Sequence, residues 1–280
     1  MTTETKEARL KRLQAQLAVR TEQCNYRSGV GDRRLAMHRS RPWGRPHLPV
    51  VVFLHGALRT AESLVAWVDV LADVADVLLV DLPGHLRSTA IQPMSVDGMA
   101  SWIHEGLRVG LAGRHVLLVG ESLGGLIALR IAGDDGPSPV HAILALDPPL
   151  STSKQWTISM AFQPFLNIPA VADLAETTFG IKGDKRSERI YYPLLGQAKR
   201  PIALATGDNP LMPPRNNARH PCLFDELDRY IVNTYYPGAA DIRTFAGSGH
   251  LLLEDAVEPI RALIVEMLER HLPRPMPVAG

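Results

Sequence analysis

Apolar positions along the chain fall into two alternating patterns. Four short runs, Val50–Leu54, Val77–Val80, His115–Val119 and Ala142–Leu146, are rich in Val, Leu and Ile and lack polar alternation. Strands buried on both faces read this way, as in parallel sheets covered by helices on each side. Between the runs, segments 61–73, 97–111 and 123–133 repeat their apolar residues at helical spacing. Strand, helix, strand in repetition predicts βαβ units and a mostly parallel sheet flanked by helices, an α/β fold. Further strands are expected at 201–206 and 241–245, and an amphipathic helix at 256–271 precedes a Pro-rich tail.

The ends of this rhythm carry different patterns. Leu10, Leu13 and Leu17 recur at helical spacing among Lys, Arg, Glu and Gln, so residues 1–20 are expected to hold an N-terminal amphipathic helix. Two weaker strand candidates, 23–28 and 34–39, flank Gly29 and Gly31 and read as a hairpin. If both join the sheet, it has eight strands. Residues 148–200 break the rhythm, being irregular and carrying Trp156, Phe162, Phe165, Phe179 and Tyr192. They read as a lid or cap insertion over the carboxyl edge of the sheet. No repeat or low-complexity linker divides the chain, so residues 1–280 are expected to form a single domain.

Composition narrows the partners. Lys plus Arg number 30 and Asp plus Glu 29, a formal net charge of +1. That balance lacks the electrostatic footprint of a protein that works on nucleic acid or an anionic membrane. A small, non-polyanionic substrate is the expectation. Cys24 and Cys222 are the only cysteines, too few for a disulfide framework or a thiolate metal site. With no stretch of signal-peptide or membrane-span character, a cytoplasmic protein is expected.

Chemistry concentrates at two strand ends. In Val116-Leu-Leu-Val-Gly120-Glu-Ser122-Leu-Gly124-Gly125 a buried strand runs through G-x-S-x-G into a helix. Glycine at 120 and 124 lets strand and helix approach, so that Ser122 sits on a tight turn with its hydroxyl presented above the sheet. Such a turn also puts the Leu123 N–H at a helix N-terminus, where it favours a developing oxyanion. The bland alternative is a serine in an ordinary Gly-rich turn or phosphate loop, but no Lys follows at P-loop spacing. In Val51-Val-Phe-Leu54-His55-Gly56-Ala57 a second buried strand ends in a tight turn. There the Ala57 N–H can supply a second oxyanion donor, with His55 ordering the loop.

These motifs resemble the α/β-hydrolase fold superfamily, of serine esterase and lipase type. His55-Gly56 matches its oxyanion loop, Asp81-Leu-Pro-Gly84-His85 its loop after the fourth strand, Ser122 its nucleophile elbow, and Gly247-Ser-Gly249-His250 its catalytic-histidine loop. Leu86 departs from the pattern, since the family usually has glycine there, and would narrow the pocket or reshape the loop. The resemblance implies Ser122 as nucleophile and His250 as general base. For the acid that orients the histidine, Pro201-Ile-Ala-Leu-Ala-Thr-Gly207-Asp208-Asn209-Pro210-Leu-Met-Pro213 resembles the family's seventh strand and acid turn. Asp208 is the first candidate. Asp147, at the end of the sixth strand, is its rival, because some members carry the acid there; Asn209, or no acid at all, completes the alternatives.

Asp81 is expected to be structural, and Glu121 to pack or hydrogen-bond beneath the elbow. No cluster has metal-ligand spacing, so neither metal nor cofactor is inferred. The resulting expectation is hydrolysis of a small carboxylic ester through an acyl-enzyme. The alternatives are acyl transfer or carbon–carbon bond hydrolysis on the same residues, or a binding protein with a defective triad.

Overall fold

The computed structural model describes residues 5–28, 32–45, 47–152, 156–211 and 219–273. Gly29 and Gly31 of the expected hairpin turn, Pro213, and the tail after residue 273 lie outside the described residues. Eight strands form one sheet: β1 (Thr21–Arg27), β2 (Arg34–Ser40), β3 (Val50–Leu54), β4 (Asp76–Val80), β5 (Val116–Glu121), β6 (Val140–Leu146), β7 (Ile202–Gly207) and β8 (Asp241–Phe245). Their spatial order is β1-β2-β4-β3-β5-β6-β7-β8. β2 runs antiparallel to both β1 and β4, and all other neighbours are parallel.

Every residue of β3, β4 and β5 is buried, whereas the edge strands β1 and β8 expose part of their length. Alternate side chains of a strand point to opposite faces. Val50, Val52 and Leu54 accordingly enter one core with Met99, Ile103 and Leu126, while Val51 and Phe53 enter a second with Trp67, Ile260 and Ile264. The first core is roofed by α2 (Val96–Gly110) and α3 (Leu123–Ala132), the second by α1 (Lys6–Arg20) and the C-terminal α7 (Val257–His271). Thr5 opens α1 by accepting from the Ala8 N–H at 3.2 Å, and Ser95 opens α2 from Gly98 at 3.1 Å.

The expected helix at 61–73 is instead a 3₁₀ turn, Ala61–Leu64, followed by a short helix, Ala66–Val70. Tertiary bonds take over this turn: Asp81 accepts from the Ala61 N–H at 3.1 Å, and buried Glu62 pairs with Arg87 at 2.7 Å. The segment expected to be irregular contains α4 (Trp156–Phe162), α5 (Pro169–Phe179), a small hairpin, Ile181–Lys182 with Lys185–Arg186, and short turns of helix at Gln163–Phe165 and Pro193–Gly196. Pro169 occupies the first turn of α5, and Gly180, at φ +68°, closes it. A further helix, α6 (Glu226–Tyr235), starts from an Asp225 and Asp228 capping box. Among the described residues no helix is long and apolar enough to cross a membrane.

Candidate active site

The turn between β5 and α3 is built around missing side chains. A Cβ on Gly120 would stand 2.1 Å from the Gly124 carbonyl oxygen, and one on Gly124 would stand 2.3 Å from that of Leu54. Strand and helix can meet this closely only with glycine at both positions. Between them Ser122 adopts φ +55° and ψ −115°, a conformation an L residue holds only when its surroundings enforce it. Two bonds fix it: the Ser122 N–H donates to Leu146 O at 2.8 Å, and the Leu126 N–H donates to Ser122 O at 3.1 Å.

Leu123 is the first residue of α3, so its N–H belongs to the helix's unpaired N-terminal set. The turn after β3 lies alongside, since the nearest atom to a Cβ on Gly56 would be that of Ser122, at 3.3 Å. His55 braces this turn. Its Nδ1 is 2.8 Å from Gly56 O, and its Nε2 accepts from the Leu82 N–H at 3.1 Å. Full burial, reinforced by neighbouring His85, lowers its pKa to about 3, so it is a neutral strut joining two loops.

The carboxylate beside His250 is that of Asp147. His250 Nδ1 lies 2.6 Å from Asp147 Oδ2. Because a carboxylate only accepts, Nδ1 donates and Nε2 carries the free lone pair. Asp147 is fully buried at φ +45°, and three other donors converge on it: Leu223 N–H at 2.6 Å, Phe224 N–H at 3.1 Å and the Thr206 hydroxyl at 2.6 Å. The expectation that Asp208 reaches the histidine is therefore corrected. Asp208 follows β7, one strand farther from the elbow than β6, and its Oδ1 accepts from the Gly247 N–H at 2.9 Å. It holds the histidine loop by its backbone instead of the imidazole. Asn209 lies elsewhere, its side-chain amide donating to Arg219 O at 3.1 Å.

Ser122, His250 and Ala57 line one cavity of about 440 Å³. Its roof comes from the insertion, through Ile158 and Phe162 of α4 and Phe179 of α5, the two phenylalanine rings 5.1 Å apart between centroids. Leu86 is not part of this lining; it points to solvent, 56% exposed, while its backbone keeps the positive φ, +39°, that glycine would favour. It does not narrow the pocket. Asp81 is committed to Ala61, His38 and Arg87. Burial alone would raise its carboxyl, but the hydrogen bond and charge of His38 hold it below the ordinary value.

Two titratable cavity residues escape a reading of motifs. Arg59, four residues beyond His55, faces the cavity and bonds Glu121 and Glu254; His220 reaches the rim from the segment before α6 and accepts the His250 N–H on its carbonyl at 2.9 Å. Neither sits in a recognisable spacing, and only the fold brings them in. Among the described residues no group of three or more His, Cys, Asp or Glu could hold a metal ion.

With the sheet order and this geometry in view, the chain belongs to the alpha/beta hydrolase fold family, whose pattern matches residues 49–208. A 2-succinyl-6-hydroxy-2,4-cyclohexadiene-1-carboxylate synthase from Shigella dysenteriae is 40% identical over 101 residues, covering 35% of this chain and 38% of that protein. Little more than a third of that relative's length is thus matched. In structure the chain is similar to the naproxen esterase of Bacillus subtilis, with a TM-score of 0.67 and 16% identity over 92% of this chain and 95% of the esterase. It is also similar to E-2-(acetamidomethylene)succinate hydrolase, with a TM-score of 0.62 and 18% identity over 89% of this chain and 100% of that one. At these identities the structural likeness concerns the fold.

Proposed function

We propose that this protein is a serine hydrolase that cleaves small carboxylic esters through an acyl-enzyme, with Ser122, His250 and Asp147 as its triad. The observation that carries the reading is the 2.6 Å bond from buried Asp147 to His250, which lines one cavity with the strained Ser122. His250 Nε2 takes the Ser122 proton as the hydroxyl oxygen bonds to the ester carbonyl carbon. Charge collecting on the carbonyl oxygen is met by the N–H groups of Ala57 and Leu123, donors worth roughly 10²–10³-fold each in comparable sites. Asp147 stabilises the imidazolium and keeps its ring oriented without taking the proton.

The imidazolium then protonates the leaving alkoxide, so the alcohol departs and the acyl group stays on Ser122. Water enters next, and His250 removes its proton as the oxygen attacks the acyl carbon. Collapse expels Ser122, which recovers its proton, and the carboxylic acid leaves. The cavity's size suits a small molecule, and its mostly apolar walls suit an uncharged acyl or alcohol group. The insertion 148–200 serves as the lid over it, within a single domain. Cytoplasmic action fits the two free cysteines, half-buried Cys24 and buried Cys222.

The test is a fluorophosphonate probe with p-nitrophenyl acetate, butyrate and octanoate. Labelling at Ser122 and turnover of at least one ester, both abolished in Ser122→Ala, are expected. Folded protein that neither labels nor turns over would overturn the reading. The likeness to a synthase favours a second reading, transfer or carbon–carbon chemistry on the same residues. Turnover in oxygen-18 water separates hydrolysis, which puts the label into an acid product, from transfer, which does not. Carbon–carbon cleavage is told from ester cleavage by its other product, which carries a new C–H bond instead of an alcohol.

A further inference from the structure

Three separate chain segments must stay in register for the proposed chemistry: the turn carrying Ala57, the elbow carrying Ser122, and the loop carrying His250. One pair of side chains touches all three. Glu121, the residue before the nucleophile, is fully buried. Its Oε2 accepts from Arg59 Nη1 at 3.2 Å, and its Oε1 accepts from the Leu253 N–H at 3.2 Å. Arg59, on the oxyanion turn, sends its other terminal nitrogen to Glu254 and its Nε to the Ser63 hydroxyl at 3.3 Å. Leu253 and Glu254 lie three and four residues after His250, and the Leu253 carbonyl is itself held by the Trp67 indole at 3.2 Å.

The oxyanion turn needs such an anchor. Leu58 has φ +59°, and the turn closes on a single 3.3 Å backbone bond from the Arg59 N–H to Gly56 O. A planar guanidinium that bridges two carboxylates through its two terminal nitrogens fixes direction as well as distance, which a lysine ammonium does not. The Arg59 side chain is 15% exposed and the Glu121 side chain 0%, so solvent screens their contact little.

Resting on the serine-hydrolase reading, we propose that Arg59 and Glu121 are a pair of positioning residues that lock the Ala57 oxyanion donor against Ser122 and the His250 loop. Neither takes part in bond making. They act together on one distance, that between the oxyanion donor and the nucleophile. Misplacement of reacting groups by about 1 Å can cost on the order of 100-fold in rate.

Glu121→Gln keeps an oxygen for the Leu253 N–H but cannot serve Arg59 as before, and Arg59→Met removes the other partner. Each should lower kcat roughly 10- to 100-fold with KM for a neutral short-chain ester within about threefold, since an oxyanion donor acts in the transition state. The double variant should be about as slow as the slower single one, as expected for groups that act as a unit. Arg59→Lys should recover part of the rate. Thermal melting of each variant identifies losses that come from unfolding, and Arg59→Lys, which keeps the charge, keeps the test alive if Glu121→Gln does not fold. Unchanged kcat in the folded single variants, a loss confined to KM, or fully multiplicative losses in the double variant would overturn the pairing. Wild-type protein that fails to label at Ser122 would instead overturn the hydrolase reading on which it rests.

Discussion

Asp147 and Asp208 each follow the last residue of a parallel strand, and the sequence, which put Asp208 first for its resemblance to an acid turn, offers a carboxylate at the same sheet edge in both. Strand order separates them: β6 neighbours the elbow strand β5, while β7 lies one place farther out. Asp147→Asn should lower kcat by about 10³-fold or more, because an amide at Nδ1 can present its N–H and favour the wrong tautomer. Asp208→Asn can still accept from the Gly247 N–H and should stay within about threefold of wild type. Steady-state turnover of one ester checks both, and equal losses would sink the assignment. The donors that hold Asp147, from Thr206, Leu223 and Phe224, were invisible as a group because they lie 59 to 77 residues away along the chain. Leu86 makes a contrasting case. Its side chain is outside the cavity, so Leu86→Gly should leave turnover within twofold, and relief of its positive φ should raise the melting temperature by about 2 °C at most.

Elements were legible where periodicity and punctuation agreed. The apolar runs of β3 to β6 needed no tertiary information, since strands buried on both faces lack polar positions. Segment 61–73 misled because Ala61 and Glu62 satisfy partners on the β4 loop, and those bonds outweigh helical spacing. The insertion misled for another reason: Pro164 and Pro169 interrupt its apolar spacing, although Pro169 in fact begins a helix. α6 was not among the expected elements, although Asp225 and Asp228 cap its first turn. The elbow, by contrast, was legible down to its glycines, and its tolerance can be measured. Gly124→Ala would press a methyl group to 2.3 Å from the Leu54 carbonyl oxygen, a backbone atom held in the sheet. Overpacking against side chains costs about 1–3 kcal/mol, and an atom that cannot rotate away should cost at least the upper value. A fall of several degrees in melting temperature, with activity lost, is expected; a variant that melts with wild type would show that β3 and α3 are not in this contact.

At the scale of the whole molecule, the buried histidines give folding a pH dependence whose sign follows from His55. Its folded pKa, about 3, is lowered chiefly by burial from an ordinary value near 6.5. Between those values the unfolded chain binds a proton that the folded protein excludes, so unfolding is favoured as pH falls. Stability from this site is intact above about 6.5, declines through the acidic range and bottoms out near 3. One pKa unit corresponds to about 1.4 kcal/mol, so at pH 5 the loss is on the order of 2 kcal/mol, or several degrees of melting temperature. His85, stacked edge-on at 5.0 Å and also lowered by burial, pushes in the same direction. Carboxylates such as Asp81, held low by His38 once burial is outweighed, add a slope of the same sign at lower pH. The discriminating measurement is therefore a comparison: melting temperatures from pH 7.5 to 5 for wild type and His55→Gln. Glutamine can bridge Gly56 and Leu82 without titrating, so its slope over that range should be shallower, whatever its stability at neutral pH. Parallel curves would mean that His55 takes up no proton on unfolding there, and the neutral strut between the oxyanion turn and the β4 loop would have to be abandoned.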